Sequence, residues 1–189
     1  ALGQMADTVF ALPAGEIGML AGWTGAICYT LQIYFDFSGY SDMAIGLGRM
    51  FGFHFRENFN YPYTATTIKE FWRRWHISLS GWFRDYLYIP LGGNRKGNAR
   101  TWLNRFLVFF ATGLWHGASW TFVLWGLWHG LFSVLEDCGA IPVDKLKGKR
   151  IGQLYTLLVV VLGFTLFRAD TLAQAGAMYA AMFSGIGLH

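Results

Sequence analysis

The feature that most constrains this chain is the segment Gly113 to Trp120, GLWHGASW, which lies inside its most apolar stretch, Trp102 to Leu135. Such a stretch is long and apolar enough to lie in lipid, where an ionisable side chain is costly. His116 stands near its middle and is therefore a candidate functional residue. Gly113 and Gly117 flank it, which favours a break or a close backbone approach over a plain helix. A buried structural histidine is the alternative, and the segment alone supports both uses.

Composition indicates a membrane protein. Of the 189 residues, 54% are hydrophobic and 19% aromatic, and the nine Trp and nine Tyr are typical of the belts at membrane interfaces. The net charge of +4 comes from basic residues clustered between apolar segments, which indicates the positive-inside rule and not a nucleic-acid partner. Cys28 and Cys138 are isolated, with no CxxC or metal-ligand spacing, so no metal site is predicted. We expect an all-α, polytopic helical membrane protein, with 1–189 a single membrane-embedded domain from the central to C-terminal part of a longer chain.

Two further apolar segments are candidate membrane helices, Ile17 to Phe35 and Ile151 to Phe167. Asp36 and Asp42 interrupt the apolar run after the first segment, and Met43 to Phe53 then resumes a helical pattern. Because the two carboxylates are six residues apart, they would face different ways on a continuous helix. They are either functional groups at membrane depth or, the interpretation that we favour, helix caps that anchor arginines.

The segment Ile68 to Tyr88 has the clearest amphipathic pattern in the chain, with apolar residues at helical spacing and charges on the other face. It predicts one helix, capped by Thr66 or Thr67 with Glu70 completing a capping box. Its charges favour a position at the membrane interface or in a re-entrant, protein-lined cavity. His76 lies at the border of the apolar face, where a histidine is most often an ordinary interfacial residue.

Two basic, turn-rich loops frame the apolar stretch that holds His116: Ile89 to Ala99, and the loop with Lys145, Lys147, Lys149 and Arg150. If both are cytoplasmic, the chain between them crosses the membrane an even number of times. We favour two short passes with the break near His116. One long tilted helix, with the loops on opposite sides, is the alternative. The last segment, 171–183, is rich in small residues that suit helix–helix contact.

Three long segments resemble the membrane-bound O-acyltransferase superfamily and occur in the family order: YFDFSGYSDMAIGLGRMFG (34–52), FWRRWHISLSGWFRDYLYIPLGGNRKG (71–97) and GLWHGASW (113–120). The resemblance covers residues 34–137. It implies that these residues form the catalytic core. Within the superfamily, YIPLGGN (88–94) is similar to the bacterial branch that contains the membrane subunit of alginate O-acetylation, and less similar to the proteins of teichoic-acid D-alanylation.

The resemblance also implies the site residues. His116 takes the place of the family's catalytic histidine, and His76 that of its second required histidine. Leu127-Trp128-His129-Gly130 repeats the LWHG pattern, but the resemblance selects His116 and leaves His129 a structural role. The candidate substrate contacts are Trp115, Ser119, Asp36, Arg73 and Arg74. For the two arginines we favour the alternative, which is that they fix topology.

The chemistry that the resemblance implies is transfer of an acetyl group from a cytoplasmic thioester, acetyl-CoA, to hydroxyls of an exported polysaccharide such as alginate, through periplasmic acetyl-carrying partners. Neutral imidazole suits His116 as the base, and His76 would orient the acceptor, stabilise the oxyanion or relay the proton. The expected location is the bacterial inner membrane, with several passes and no bound cofactor. The alternatives are teichoic-acid D-alanylation, a transporter or channel, and a scaffold without enzymatic activity.

Overall fold

The computed structural model describes residues 1–184, and this part of the chain is helical without strands. The all-α prediction is confirmed for these residues. The helices are α1 (Leu2–Phe10), α2 (Met19–Met50), α3 (Ile68–Arg74), α4 (Ile77–Phe83), α5 (Asn98–His116), α6 (Trp120–Asp137), α7 (Val143–Leu146), α8 (Arg150–Arg168) and α9 (Leu172–Phe183). Short 3₁₀ turns at Ala14–Glu16 and Pro62–Thr64 and a π-helical turn at Arg84–Tyr88 complete the described elements.

Helix α8 lies at the centre of the fold, where it packs against α2, α6 and α9. Its Val160 and Phe164 are buried together with Trp125 of α6 and Phe71 of α3. Burying one such large apolar side chain contributes about 1.5–3 kcal/mol, so this cluster fixes α3 firmly on the α6–α8 pair. Among the described helices, α8 alone is long and apolar enough by composition to cross a membrane, with a mean hydropathy of 1.7.

The predicted small-residue helix is α9, and it has packing partners in α2 and α8. Thr171 caps its N-terminus through the side-chain oxygen. Ala175 and Ala181 are buried, and a Cβ added to Gly22 of α2 would lie 3.1 Å from the Cγ of Met182. The small residues therefore serve close helix–helix contact, as their spacing predicts.

The apolar stretch that holds His116 folds as an antiparallel hairpin of α5 and α6. Helix α5 ends at His116, and Ser119 begins α6 by accepting a hydrogen bond from the Thr121 N–H at 3.3 Å. Gly113 lies against the α6 backbone, where an added Cβ would be 2.5 Å from the Phe122 carbonyl oxygen. The predicted break beside His116 is confirmed, and the single long helix is wrong. At 1.5 Å per residue each helix is roughly 27–29 Å long, so two short membrane passes stay a prediction that the geometry allows.

The two basic loops lie at the same end of the fold, because one precedes α5 and the other follows α6 in an antiparallel pair. Contacts between elements hold this end together. Asp137 forms ion pairs with Lys69 and with Arg105, the latter at 2.5 Å. The Gly148 N–H donates to the Thr66 hydroxyl oxygen at 3.1 Å. This arrangement agrees with the predicted topology, in which both loops face one side of the membrane.

The single amphipathic helix predicted over 68–88 is wrong, because the chain breaks between α3 and α4. The loop before α3 takes over the backbone bonds at the break: Asn60 N–H donates to the Arg74 carbonyl at 2.9 Å, and Ile77 N–H donates to the Asn58 carbonyl at 3.0 Å. These bonds to a distant segment are invisible to helical periodicity. The predicted N-terminal cap is present, since Thr67 accepts from the Glu70 N–H at 3.0 Å.

Helix α2 is continuous over its 32 residues and passes through both carboxylates that interrupt its apolar pattern. Asp36 and Asp42 are exposed within this helix, so the favoured interpretation that they cap helices is wrong. They do face different ways: Asp36 lines the cavity that contains His116, and Asp42 lines a separate polar cleft. An aspartate costs a helix only a little in propensity, and neither of these carboxylates is forced into an apolar interior. The helix can therefore continue through both.

Candidate active site

The candidate site is a cavity of about 450 Å³ where the middle of α2 meets the ends of α5 and α8. His116 is the last residue of α5; it is half-buried and lines this cavity. The other lining residues are Tyr29, Gln32, Ile33, Asp36, Phe37 and Tyr40 from α2 and Phe167 from α8. A titratable imidazole therefore shares one open cavity with a carboxylate and two phenol groups.

Aromatic rings hold the His116 imidazole in place. The rings of Trp125 and Phe167 each meet it edge-on with centroids 5.1 Å away, and the ring of the preceding Trp115 lies at 5.0 Å. Edge-to-face packing of this kind contributes about 0.5–1.5 kcal/mol per pair beyond buried area. Such packing fixes the orientation of the ring.

His76 occupies a strained position at the break between α3 and α4. Its backbone is in the left-handed region, with φ 46° and ψ 55°, and among the described non-glycine residues only Tyr61 shares a positive φ. Such a conformation costs roughly 1–3 kcal/mol and tends to occur where function requires it. The His76 ring packs on Phe37 of α2 at 4.7 Å and on Trp115 of α5 at 6.3 Å. The break thus turns His76 toward the elements that line the His116 cavity.

A side-chain network holds that break in place. The Asn58 side-chain oxygen accepts hydrogen bonds from both the backbone N–H and the hydroxyl of Ser78, at 3.1 and 2.9 Å. The amide nitrogen of Asn58 donates to the hydroxyl of Ser41 on α2 at 3.3 Å. One asparagine therefore connects α2 to the first turn of α4, two residues beyond His76.

Four of the predicted site residues come together in the fold. The ring of Trp115 packs on both histidine rings and is 58% exposed, so its indole is accessible to a substrate. Asp36 shares the cavity with His116. Ser119 is the N-cap of α6, which gives it a structural use whatever else it contacts. The catalytic and binding roles of these residues stay predictions.

The two predicted arginines lie outside the cavity. Arg74 pairs with Glu70 at 2.8 Å and donates to the Thr64 hydroxyl at 3.2 Å. Burial alone would raise the pKa of Glu70, but hydrogen bonds from Thr66 and Arg74 outweigh it and hold that pKa below its usual value. An ionised Glu70 maintains the ion pair with Arg74. Through its hydrogen bond to Thr64, Arg74 then holds the loop before α3 in place. Arg73 lines a different cavity, between α3 and α5.

The rival histidine, His129, is completely buried in the core. Its ring stacks on Phe71 and meets Trp72 and Trp125 edge-on, and within residues 1–184 neither ring nitrogen has a hydrogen-bond partner. A Cβ at Gly163 would lie 2.8 Å from its Nε2, so a glycine makes room for the ring. His129 lies outside the cavity and is inaccessible to substrate, in keeping with a structural role.

Sequence reasoning missed Phe37 and Phe167, which line the cavity, and Asn58, which positions His76. An aromatic residue in an apolar helix carries no signal of its own, and the partners of Asn58 lie on distant elements. No group of three His, Cys, Asp or Glu side chains suited to a metal ion occurs among the residues that the structure describes.

Comparison with known proteins decides the family. The family model of MBOAT, the membrane-bound O-acyltransferase family, matches residues 13–139, which is more than half of the chain. The chain belongs to this family. The match includes both histidines of the candidate site and the helices α2 to α6 that position them.

Relatives with several kinds of acceptor resemble the chain. It is 52% identical over 183 residues to the probable alginate O-acetylase AlgI of Pseudomonas putida, and this match covers 97% of the chain and 37% of that protein. It is 43% identical over 165 residues to a peptidoglycan O-acetyltransferase of Helicobacter pylori (86% of the chain, 31% of that protein). A teichoic acid D-alanyltransferase of Bacillus subtilis is 36% identical over 120 residues (58% and 29%). The chain thus spans a little more than a third of the length of this alginate O-acetylase and a little less than a third of the other two relatives.

Proposed function

We propose that the His116 cavity is the acyl-transfer site of a membrane-bound O-acyltransferase. The observation that carries the proposal is that the rings of His116 and His76, which come from different segments of the chain, both pack on the ring of Trp115. The second histidine stands in a strained left-handed turn between α3 and α4. Two imidazoles beside an open cavity, in a chain of this family, are well suited to moving a proton to and from an acceptor hydroxyl.

In the proposed reaction, His116 removes the proton from an acceptor hydroxyl as its oxygen attacks the carbonyl carbon of a thioester. A carbon–oxygen bond forms and the carbon–sulfur bond breaks. The departing thiolate takes up the proton that His116 received, which returns the imidazole to its neutral form. His76 stabilises the oxyanion or orients the acceptor, since its ring packs on the same indole as the His116 ring.

We further propose acetyl-CoA as the donor and an exported polysaccharide such as alginate as the acceptor, reached through acetyl-carrying partner proteins. The high identity to a protein named as a probable alginate O-acetylase supports this choice over D-alanyl transfer, for which the relative is more distant. We place the protein in the bacterial inner membrane with several passes, in line with the α5–α6 hairpin and the two basic loops at one end.

The proposal is tested with the full-length protein in membranes supplied with labelled acetyl-CoA, labelled D-alanyl thioester or labelled free acetate. Of the three labelled compounds, we expect only acetyl-CoA to transfer its label to polysaccharide or to partner protein. Preferred transfer from the alanyl donor would favour the D-alanylation alternative. Uptake of acetate without any thioester requirement would instead indicate a transporter.

A further inference from the structure

Helix α8 carries an exposed aliphatic stripe that begins with an arginine. Ile151 and Leu154 are 63% and 67% exposed, and Leu158 is exposed as well. At 3.6 residues per turn, these three side chains and that of Arg150 lie within a sector of roughly 100° on one side of the helix. Arg150 is exposed and is the first residue of α8. The stripe therefore presents a cation at one end and aliphatic side chains along the rest of its length.

Helix α5 repeats this arrangement. Arg100 is exposed in its first turn, and Leu103, Leu107 and Leu114 are exposed beyond it. These four side chains lie within a sector of roughly 60° on one side of the helix. Both helices begin at the end of the fold where the two basic loops lie. An arginine followed by an aliphatic stripe thus occurs twice at the same end of the molecule.

The size of the residues on each face indicates that lipid, and not another helix, covers these stripes. Helix–helix contacts in membranes favour small residues, because these allow two backbones to approach closely. In α8 such residues are buried against the rest of the fold, among them Gly152, Thr156 and Gly163. In α5, Thr112 and Gly113 are likewise buried. The two exposed stripes contain only large aliphatic side chains, which suit the acyl chains of a lipid better than a closely packed helix.

The arginine end of both stripes is strongly basic. Exposed basic side chains are clustered in the two loops and at the starts of the two helices: Arg95, Lys96, Arg100, Lys145, Lys147, Lys149 and Arg150. Within residues 1–184 none of them forms an ion pair. Between 89 and 100 there is no acidic residue, and between 138 and 150 there is only Asp144. Basic side chains beside a membrane span attract anionic headgroups, so this surplus of positive charge favours a lipid with a net negative charge.

We propose that the starts of α5 and α8 bind anionic phospholipids. Arg100 and Arg150 contact the phosphate groups, and the aliphatic stripes contact the acyl chains. A free phosphate would leave the stripes unused, and a zwitterionic lipid would leave the surplus of positive charge unused, whereas an anionic phospholipid uses both features. The inference goes beyond acyl transfer and involves neither histidine, but it rests on the membrane placement proposed above.

Photo-crosslinking identifies what covers the α8 stripe. Leu154→p-benzoylphenylalanine is introduced into the full-length protein, which is irradiated in nanodiscs of equal phosphatidylglycerol and phosphatidylcholine content and analysed by mass spectrometry. We expect lipid adducts in which phosphatidylglycerol exceeds phosphatidylcholine at least about fivefold. Arg150→Gln should lower this ratio about fivefold, because one basic side chain near an anionic surface contributes about that factor. The same experiment at Leu107 with Arg100→Gln tests α5.

Arg56→Gln is the matched control, because it removes the same charge from an exposed arginine in the loop after α2, away from both stripes. It should leave the ratio unchanged. Equal adducts of the two lipids on the protein without arginine substitutions, or an equal fall in Arg150→Gln and Arg56→Gln, would overturn the inference. So would adducts to another part of the chain or to a partner protein in place of lipid, or loss of the preference in excess glycerol phosphate. Release of the protein from membranes by alkaline carbonate would instead reject the membrane placement.

Discussion

The side-chain oxygen of Asn58 accepts hydrogen bonds from both the backbone and the hydroxyl of Ser78, at 3.1 and 2.9 Å. This relationship matters because Ser78 lies in the first turn of α4, just after His76. A loop residue thereby fixes where the amphipathic segment breaks, and the break determines where His76 points. The position of the second histidine depends on a residue that does not line the His116 cavity.

Asn58→Ala should reduce acyl transfer because His76 loses its fixed orientation. Small displacements of catalytic groups can lower rates by about 10²-fold, and we expect a loss of at least about tenfold here. Ser78→Ala removes only the hydroxyl bond and leaves the backbone N–H donor, so it should be milder. Transfer rates at matched protein levels check both, and a wild-type rate in Asn58→Ala would show that the network does not position His76.

Gly126 should tolerate no side chain, because a Cβ there would collide with the Phe109 carbonyl across the α5–α6 pair. Overpacking of this kind costs about 1–3 kcal/mol, so Gly126→Ala should lower the Tm in detergent. Gly176 on α9 is the control, since nothing lies within 4 Å of its added Cβ. Gly176→Ala should leave the Tm unchanged or raise it slightly. Equal Tm values for the two variants would contradict the close packing of the hairpin.

Glu136→Gln should destabilise the junction of α3 and α6. The carboxylate accepts from the Ile68 N–H at 2.6 Å, the Lys69 N–H at 3.1 Å and the Tyr155 hydroxyl at 3.2 Å, and an amide replaces one acceptor oxygen by a donor. A buried, unpaired N–H costs about 1–3 kcal/mol. The measurement is again the Tm, with Glu16→Gln at an exposed position as the control. A Tm shift no larger than that of the control would argue against Glu136 as the cap of α3.

The topology is tested by cysteine labelling. Single cysteines at Arg95 and Lys147, in a background without Cys28 and Cys138, should be equally protected from an impermeant maleimide in intact cells. This follows from two loops at the same end of the α5–α6 pair, both on the cytoplasmic side. Labelling of one position but not the other would reject the two-pass arrangement.

Local signals in the sequence predict much of this fold. Apolar length predicts α8, small-residue content predicts α9, and Thr67 with Glu70 predicts the start of α3. The glycines around His116 predict the break between α5 and α6, because few other residues allow so close a backbone approach.

Two features could not be predicted, because they depend on partners far away in the chain. The break before His76 requires backbone bonds to Asn58 and Asn60, which periodicity within 68–88 cannot show. The continuity of α2 through Asp36 is hidden by its broken apolar pattern, since carboxylates facing a cavity or solvent leave helical bonds intact. The resemblance to a known family, and not residue pattern, distinguished His116 from His129.

The central claim is that His116 is the base and that His76 acts beside it. The most direct measurement is transfer of labelled acetyl by full-length His116→Gln, with His76→Gln and His129→Gln as comparisons at matched protein levels. We predict that His116→Gln loses about 10²–10⁴-fold in rate, because an amide cannot accept a proton at neutral pH. His76→Gln should retain part of the activity, since an amide still donates a hydrogen bond, and His129→Gln should show mainly a folding defect. Wild-type transfer by His116→Gln would contradict the account, as would loss of transfer in a well-folded His129→Gln alone.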